Sequence, residues 1–184
     1  FERTDAVIID WDMYFGNYMV DLVTAAAAAS TVYLLTDDVE ESRSLGDFFT
    51  ARGIDPRRVR FFEYPNDALW TRDYGPIPVA QADGNPAMVD ATYYPDRRRD
   101  DAVPTFLGRY FDVLVTRPPV VTEGGNFMTN GEGLCVVTNW LLQENPDFTR
   151  DEILALNGAY FGCEETLILT RMDGEGTGHI DMFA

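Results

Sequence analysis

Lysine is absent from this 184-residue chain: all 14 basic residues are arginine, set against 31 acids, for a formal net charge of −17 at pH 7. A surface so short of positive charge repels phosphate backbones and anionic headgroups, which argues against nucleic acid or a membrane surface as partner and favours a cation. No run approaches the ~18 apolar residues of a membrane-spanning helix, and no N-terminal stretch reads basic, apolar and small like a signal peptide. The opening on Phe1 leaves room for a leader already removed. Histidine occurs once, as His179, and cysteine twice. One histidine among carboxylates suits only a weakly held, oxygen-loving ion and not zinc, so a metal hydrolase using Asp73, His179 and Asp181 is disfavoured. Cys135 lies in an apolar run and Cys163 follows a glycine, so no disulfide framework is indicated; Cys135 reads as a buried structural thiol. With 46% apolar and 13% aromatic residues, the chain has the material for one domain with a substantial core.

The first third alternates strand and helix signals. Residues 6–9, 31–35 and 59–62 are apolar or β-branched, whereas 14–29 and 37–52 are helix-prone, giving βαβαβ. Hairpins then enter, at 77–80 with 88–91 and at 126–128 with 134–138, each around turn residues. Short helices are expected at 104–111 and after Thr149, where Thr149 and Glu152 have capping-box spacing and Gly162 follows the end. Strands are expected at 113–116 and 166–169. Units of strand, hairpin and helix point to a quasi-repeated α/β plan.

Three segments carry polar residues that folding alone does not require: Trp70-Thr71-Arg72-Asp73-Tyr74-Gly75-Pro76, Glu123-Gly124-Gly125-Asn126 and Gly176-Thr177-Gly178-His179-Ile180-Asp181. Taken singly they read as a turn with Arg72 and Asp73 paired, a tight turn with a solvated glutamate, and a glycine loop with an incidental histidine. Taken together they offer chemistry. Asp73 and Asp181 have the charge and geometry to hold a planar cation bidentately, as a guanidinium requires. On an extended segment His179 and Asp181 share one face, and Glu123 is suited to orient and charge the imidazole so that it donates a proton to a leaving amine.

WTRDYGP, EGGN and GHID, in that order along the chain, resemble the guanidine-modifying superfamily, in the branch of agmatine deiminases and bacterial peptidylarginine deiminases. The resemblance implies a pseudo-fivefold α/β propeller of ββαβ modules, of which this chain holds about three, as a single but C-terminally incomplete catalytic domain over residues 1–184. It implies guanidinium binding by Asp73 and Asp181, general acid/base work by His179, support of that histidine by Glu123, and substrate contacts from Trp70 and Asn126. It also implies that a cysteine thiolate attacks the guanidinium carbon, with no cofactor and no metal. That cysteine lies far downstream of GHID in the family, beyond Ala184, so the nucleophile is expected on a missing C-terminal segment, supplied in some form such as a second chain. The isolated chain is then expected to bind without turnover.

The run Tyr93-Tyr94-Pro95-Asp96-Arg97-Arg98-Arg99-Asp100-Asp101 has two readings. One is a solvated loop with internal ion pairs. The other has Arg97 bind a substrate carboxylate, as in the stretch of bacterial peptidylarginine deiminases that it resembles. The expected activity is hydrolysis of peptidyl-arginine to peptidyl-citrulline with release of ammonia. The alternatives are agmatine conversion to N-carbamoylputrescine, as in putrescine biosynthesis, and a non-catalytic guanidine-binding fragment. A cytoplasmic site goes with the agmatine reading and secretion with the peptide reading.

Overall fold

β-branched strands separated by helix-long connections are suited to parallel pairing, because a crossover of that length can return the chain to the same end of the sheet. The structure, a computed structural model describing residues 4–184, bears this out in the first of two units, Phe1–Thr71 and Arg72–Ala184. Strands β1 (Ala6–Asp10), β2 (Thr31–Thr36) and β3 (Val59–Glu63) form a parallel sheet in that order, crossed by α1 (Asn17–Ala29) and α2 (Val39–Ala51). Met19, Val23 and Ala27 recur at helical spacing and bury the inner face of α1 against Ile9, Val32 and Leu34, while Leu45 and Phe49 do the same from α2. Asp38 caps α2, accepting from the Glu40 and Glu41 amides at 2.9 Å, as acids at a helix start should.

The single-turn helix α3 (Thr71–Tyr74) carries the boundary, and the second unit then builds two small mixed sheets. In the first, β4 (Ile77–Ala80) pairs antiparallel with β5 (Pro86–Val89), and β5 pairs in parallel with β6 (Leu114–Thr116) after α4 (Arg98–Phe111). In the second, β7 (Met128–Thr129) and β8 (Leu134–Thr138) are antiparallel. The chain then passes through α5 (Trp140–Glu144) and α6 (Arg150–Phe161), and β9 (Glu165–Leu169) returns parallel to β8. Both sheets are therefore ββαβ, whereas the first unit is not. The capping box of Thr149 and Glu152 is formed, and Gly162 ends α6 in the left-handed region.

Three expectations need correction. α4 starts at Arg98, six residues before Pro104, because the acids Asp100 and Asp101 suit its first turn and Pro104 is carried inside the helix. The run 97–99 is thus a helix boundary and not a free loop. Asn126 belongs to a 3-10 turn, Gly124–Asn126, and not to the following strand. Most consequentially, Cys135 and Cys163 form a disulfide, so the structural role expected of Cys135 holds but the thiol does not. Twenty-eight residues separate them, and only the parallel return of β9 beside β8 brings the junction after α6 to Cys135. The bridge sits in the core of the second unit with Val137, Leu141, Ile153 and Phe161.

Candidate active site

Asp73, Glu123, His179 and Asp181, which the three polar segments supply, all lie within the second unit. Asp73 comes from the single turn of α3, Glu123 from the residue before the Gly124–Asn126 turn, and His179 from the residue before a last 3-10 turn, Ile180–Met182. Asp181 lies inside that last turn. The expectation that His179 and Asp181 share one face of an extended segment therefore fails; only His179 is extended, and the turn brings Asp181 round.

His179 is buried, at 4% exposure, between two acids. Its Nε2 is 3.1 Å from Oε2 of the buried Glu123, and its Nδ1 is 3.5 Å from Oδ1 of Asp73. Burial alone would push the imidazole pKa down, but the hydrogen bond to Glu123 and the charges of Asp73, Glu123 and Asp181 outweigh it and hold His179 above its ordinary value. Asp73 moves the other way from a typical ion-paired acid: burial first, then repulsion by Glu123 and Asp181, raises it from 3.8 to about 6 against the attraction of His179 and Arg72. The site thus sets an imidazole whose protonated form is favoured beside a buried carboxyl whose negative charge is under-compensated, the electrostatic condition for accepting a cation.

Two glycines make this approach possible. A Cβ on Gly125 would overlap His179 Nδ1 and Asp73 Oδ1, and one on Gly124 would overlap the Arg72 carbonyl. Asp73, Glu123 and His179 could in principle offer a metal three atoms within 4.8 Å of one another. A metal would require a neutral imidazole, and here both ring nitrogens face carboxylates that favour the protonated form.

Sequence reasoning missed several partners. Arg72 does not pair with its neighbour Asp73; its Nε lies 3.6 Å from Asp181 Oδ2 and its Nη2 donates to the Phe127 carbonyl at 3.0 Å. Tyr94 faces the charge of Glu123, and burial first, then that negative charge, pushes its hydroxyl up to about 12. Glu175 accepts from the Thr177 amide and hydroxyl and the Gly178 amide, bonds that hold its carboxyl down at about 2 and order the loop before His179. The only signals in the sequence were the nearness of Arg72 and Glu175 to motif residues and the aromatic pair beside Arg97.

Asn126 points its amide oxygen at the Thr138 N–H, 2.8 Å away, so it braces the EGGN turn. Arg97 stands at the start of α4 with its Nη1 buried and without a hydrogen-bond partner, and its Cζ is 5.8 Å from the Tyr94 ring centre. Trp70, at 50% exposure, immediately precedes α3 in the first unit.

Over residues 11–184 the sequence matches the profile of the Porphyromonas-type peptidyl-arginine deiminases. The chain belongs to that family. The agmatine deiminase of Stutzerimonas stutzeri is 29% identical over 177 residues, 86% of this chain and 48% of that protein. Among solved structures, an agmatine deiminase of Enterococcus faecalis superposes with a TM-score of 0.81 at 24% identity, covering 98% of this chain and 55% of that one. A C. jejuni agmatine deiminase with substrate bound gives 0.77 at 20% identity, covering 96% and 57%. At such identities the structural matches establish a shared α/β fold. This deiminase-family chain spans about half the length of the relatives it matches. Among its described residues no cysteine is free, since both are in the bridge.

Proposed function

We propose that the protein hydrolyses a guanidine to a ureido group with release of ammonia, and that this chain supplies the guanidinium clamp and the proton-transfer group. The observation that carries the reading is His179 buried between Glu123 and Asp73, whose carboxylates favour its protonated form, with the charge of Asp181 acting on it as well. Asp73 and Asp181 would take the two edges of the planar cation, whose arrival supplies the positive charge that Asp73 lacks. A cysteine thiolate would add to the guanidinium carbon, and His179 would give its proton to the departing nitrogen, which leaves as ammonia. The imidazole, now neutral, would accept one proton from the water that attacks the S-linked thiouronium; the adduct would then expel the thiolate and lose its second proton to solvent, where ammonia takes it up as ammonium, leaving the ureido product. With Cys135 and Cys163 bonded to each other, the thiolate would come from outside these 184 residues.

The two ββαβ sheets support a propeller completed by the remainder of the protein, with this chain as the N-terminal portion of one catalytic domain. Arg97 favours a peptide ending in arginine over agmatine, since a buried guanidinium nitrogen without a partner suits a carboxylate and agmatine has none. The disulfide favours an oxidising compartment, as expected of a secreted enzyme. Agmatine as substrate is the second reading, favoured by the name of the Stutzerimonas stutzeri relative. The test is ureido-product formation by the longer protein with agmatine, free arginine and a peptide ending in arginine offered side by side. Product from the peptide, lost on Arg97→Ala, supports the first reading, and product from agmatine alone supports the second. Absence of product from all three overturns the enzyme assignment and leaves a guanidine-binding protein.

A further inference from the structure

Thr138, the last residue of β8, is fully buried and belongs to none of the three polar segments. Its amide donates to Asn126 Oδ1 at 2.8 Å, and its hydroxyl donates to the Gly178 carbonyl at 2.5 Å while accepting from the Trp140 amide at 3.2 Å. One residue therefore bonds the EGGN turn on one side and the peptide that leads into His179 on the other. The Gly178 peptide is held from further directions. Its amide donates to Glu175, its φ of +76° suits only glycine, and a Cβ there would overlap the Trp140 side chain.

We propose that Thr138 is a positioning residue that fixes the separation of His179 from Glu123, because its hydroxyl ties the carbonyl before His179 to the same strand end whose amide ties the Glu123 turn. A buried threonine needs its hydroxyl satisfied, but local hydrogen bonding to its own strand or turn would meet that need. The hydroxyl does accept locally from the Trp140 amide, but it donates to a carbonyl forty residues away, beside the one histidine in the chain. Without that bond the Gly178 carbonyl loses its tie to β8, while the Glu175 bond and the Trp140 contact remain, and the imidazole is held less closely to its distance from the glutamate.

The inference deepens the reading of His179 as the proton-transfer group and rests on it, yet its test needs no turnover. In the longer protein the His179 resonance is identified by its absence from His179→Gln and is then followed in a proton NMR titration. The charged groups facing that ring are Glu123, Asp73 and Asp181, with Arg72 beside Asp181, and all are retained in the variants. Thr138→Val keeps the amide bond to Asn126 and removes the hydroxyl. It is expected to lower the midpoint by about half a pH unit, a roughly threefold loss of proton affinity. Thr138→Ser is expected to restore the wild-type midpoint, and Val137→Ala, a loss of core packing in the same strand, to leave it unmoved.

If the valine variant does not fold, Thr138→Ala, which leaves room for water at the freed backbone groups, takes its place with the same expectation. An unchanged midpoint in the hydroxyl-free variant, or an equal shift in Val137→Ala, overturns the proposal whatever substrate the longer protein turns over. A shifted midpoint in a protein that forms no ureido product overturns the catalytic reading alone.

Discussion

Replacing Asp73 by asparagine should stabilise this protein at alkaline pH while weakening its hold on a guanidinium. Asp73 is raised from 3.8 to about 6 chiefly by burial, and a displacement of that size means that ionising it costs the folded state about 3 kcal/mol at a pH well above 6. Because the folded value lies above the unfolded one, the stabilising effect of its proton is fully present below 3.8 and is lost as pH rises through about 6. The side chain retains 15% exposure, and its attraction to His179 disappears with the charge, so we expect a gain of about 1 to 3 kcal/mol at about pH 8. The gap should shrink through pH 6 and be near zero at about pH 4, where the acid is as neutral as the amide. Urea unfolding followed by tryptophan fluorescence measures it, with Trp140 packed over Gly178 as a reporter beside the site. A variant less stable than wild type at pH 8, or a gap independent of pH, would refute the assignment of Asp73 as an under-compensated buried acid. Binding of agmatine should weaken in the same variant, the exchange of stability for function expected where a site is kept charged for its ligand.

In the wild-type chain, guanidinium binding followed by calorimetry should strengthen as pH rises through about 6 and Asp73 ionises; binding strongest at pH 5 would contradict this. Glu123→Gln should lower the His179 midpoint by about one unit in an NMR titration, since it removes the first of the interactions that hold the imidazole up. Gly125→Ala should abolish guanidinium binding by calorimetry, because the added methyl occupies the gap between His179 and Asp73. Reducing the Cys135–Cys163 bridge should cost about 3.5 kcal/mol of stability on chain-entropy grounds for a loop of 28 residues, read as a lower urea midpoint with reductant present.

Much of the local structure was legible because it depends on neighbours in sequence. The strand Ile77–Ala80, the Thr149 capping box and the glycine end of α6 each follow from residues within a few positions of one another. The boundary of α4 was misread because Pro104 signals a first turn, whereas six preceding residues also satisfy a helix. The site was legible in its acids and its histidine, since carboxylates and a lone imidazole beside glycines have few purely structural uses. Its wiring was not.

The sequence by itself determined which groups are available: two aspartates, a glutamate, a histidine, and glycines at the places where a Cβ would block their meeting. Tertiary structure decided which of them touch. Arg72 pairs with Asp181 and not with Asp73, Glu123 meets His179, Thr138 joins two segments, and Cys135 finds Cys163. Each of these contacts spans at least twelve residues and depends on strand register and on the placement of turns. Propensities act over a few residues, whereas a pairing of side chains from distant segments exists only once the sheets that carry them have formed.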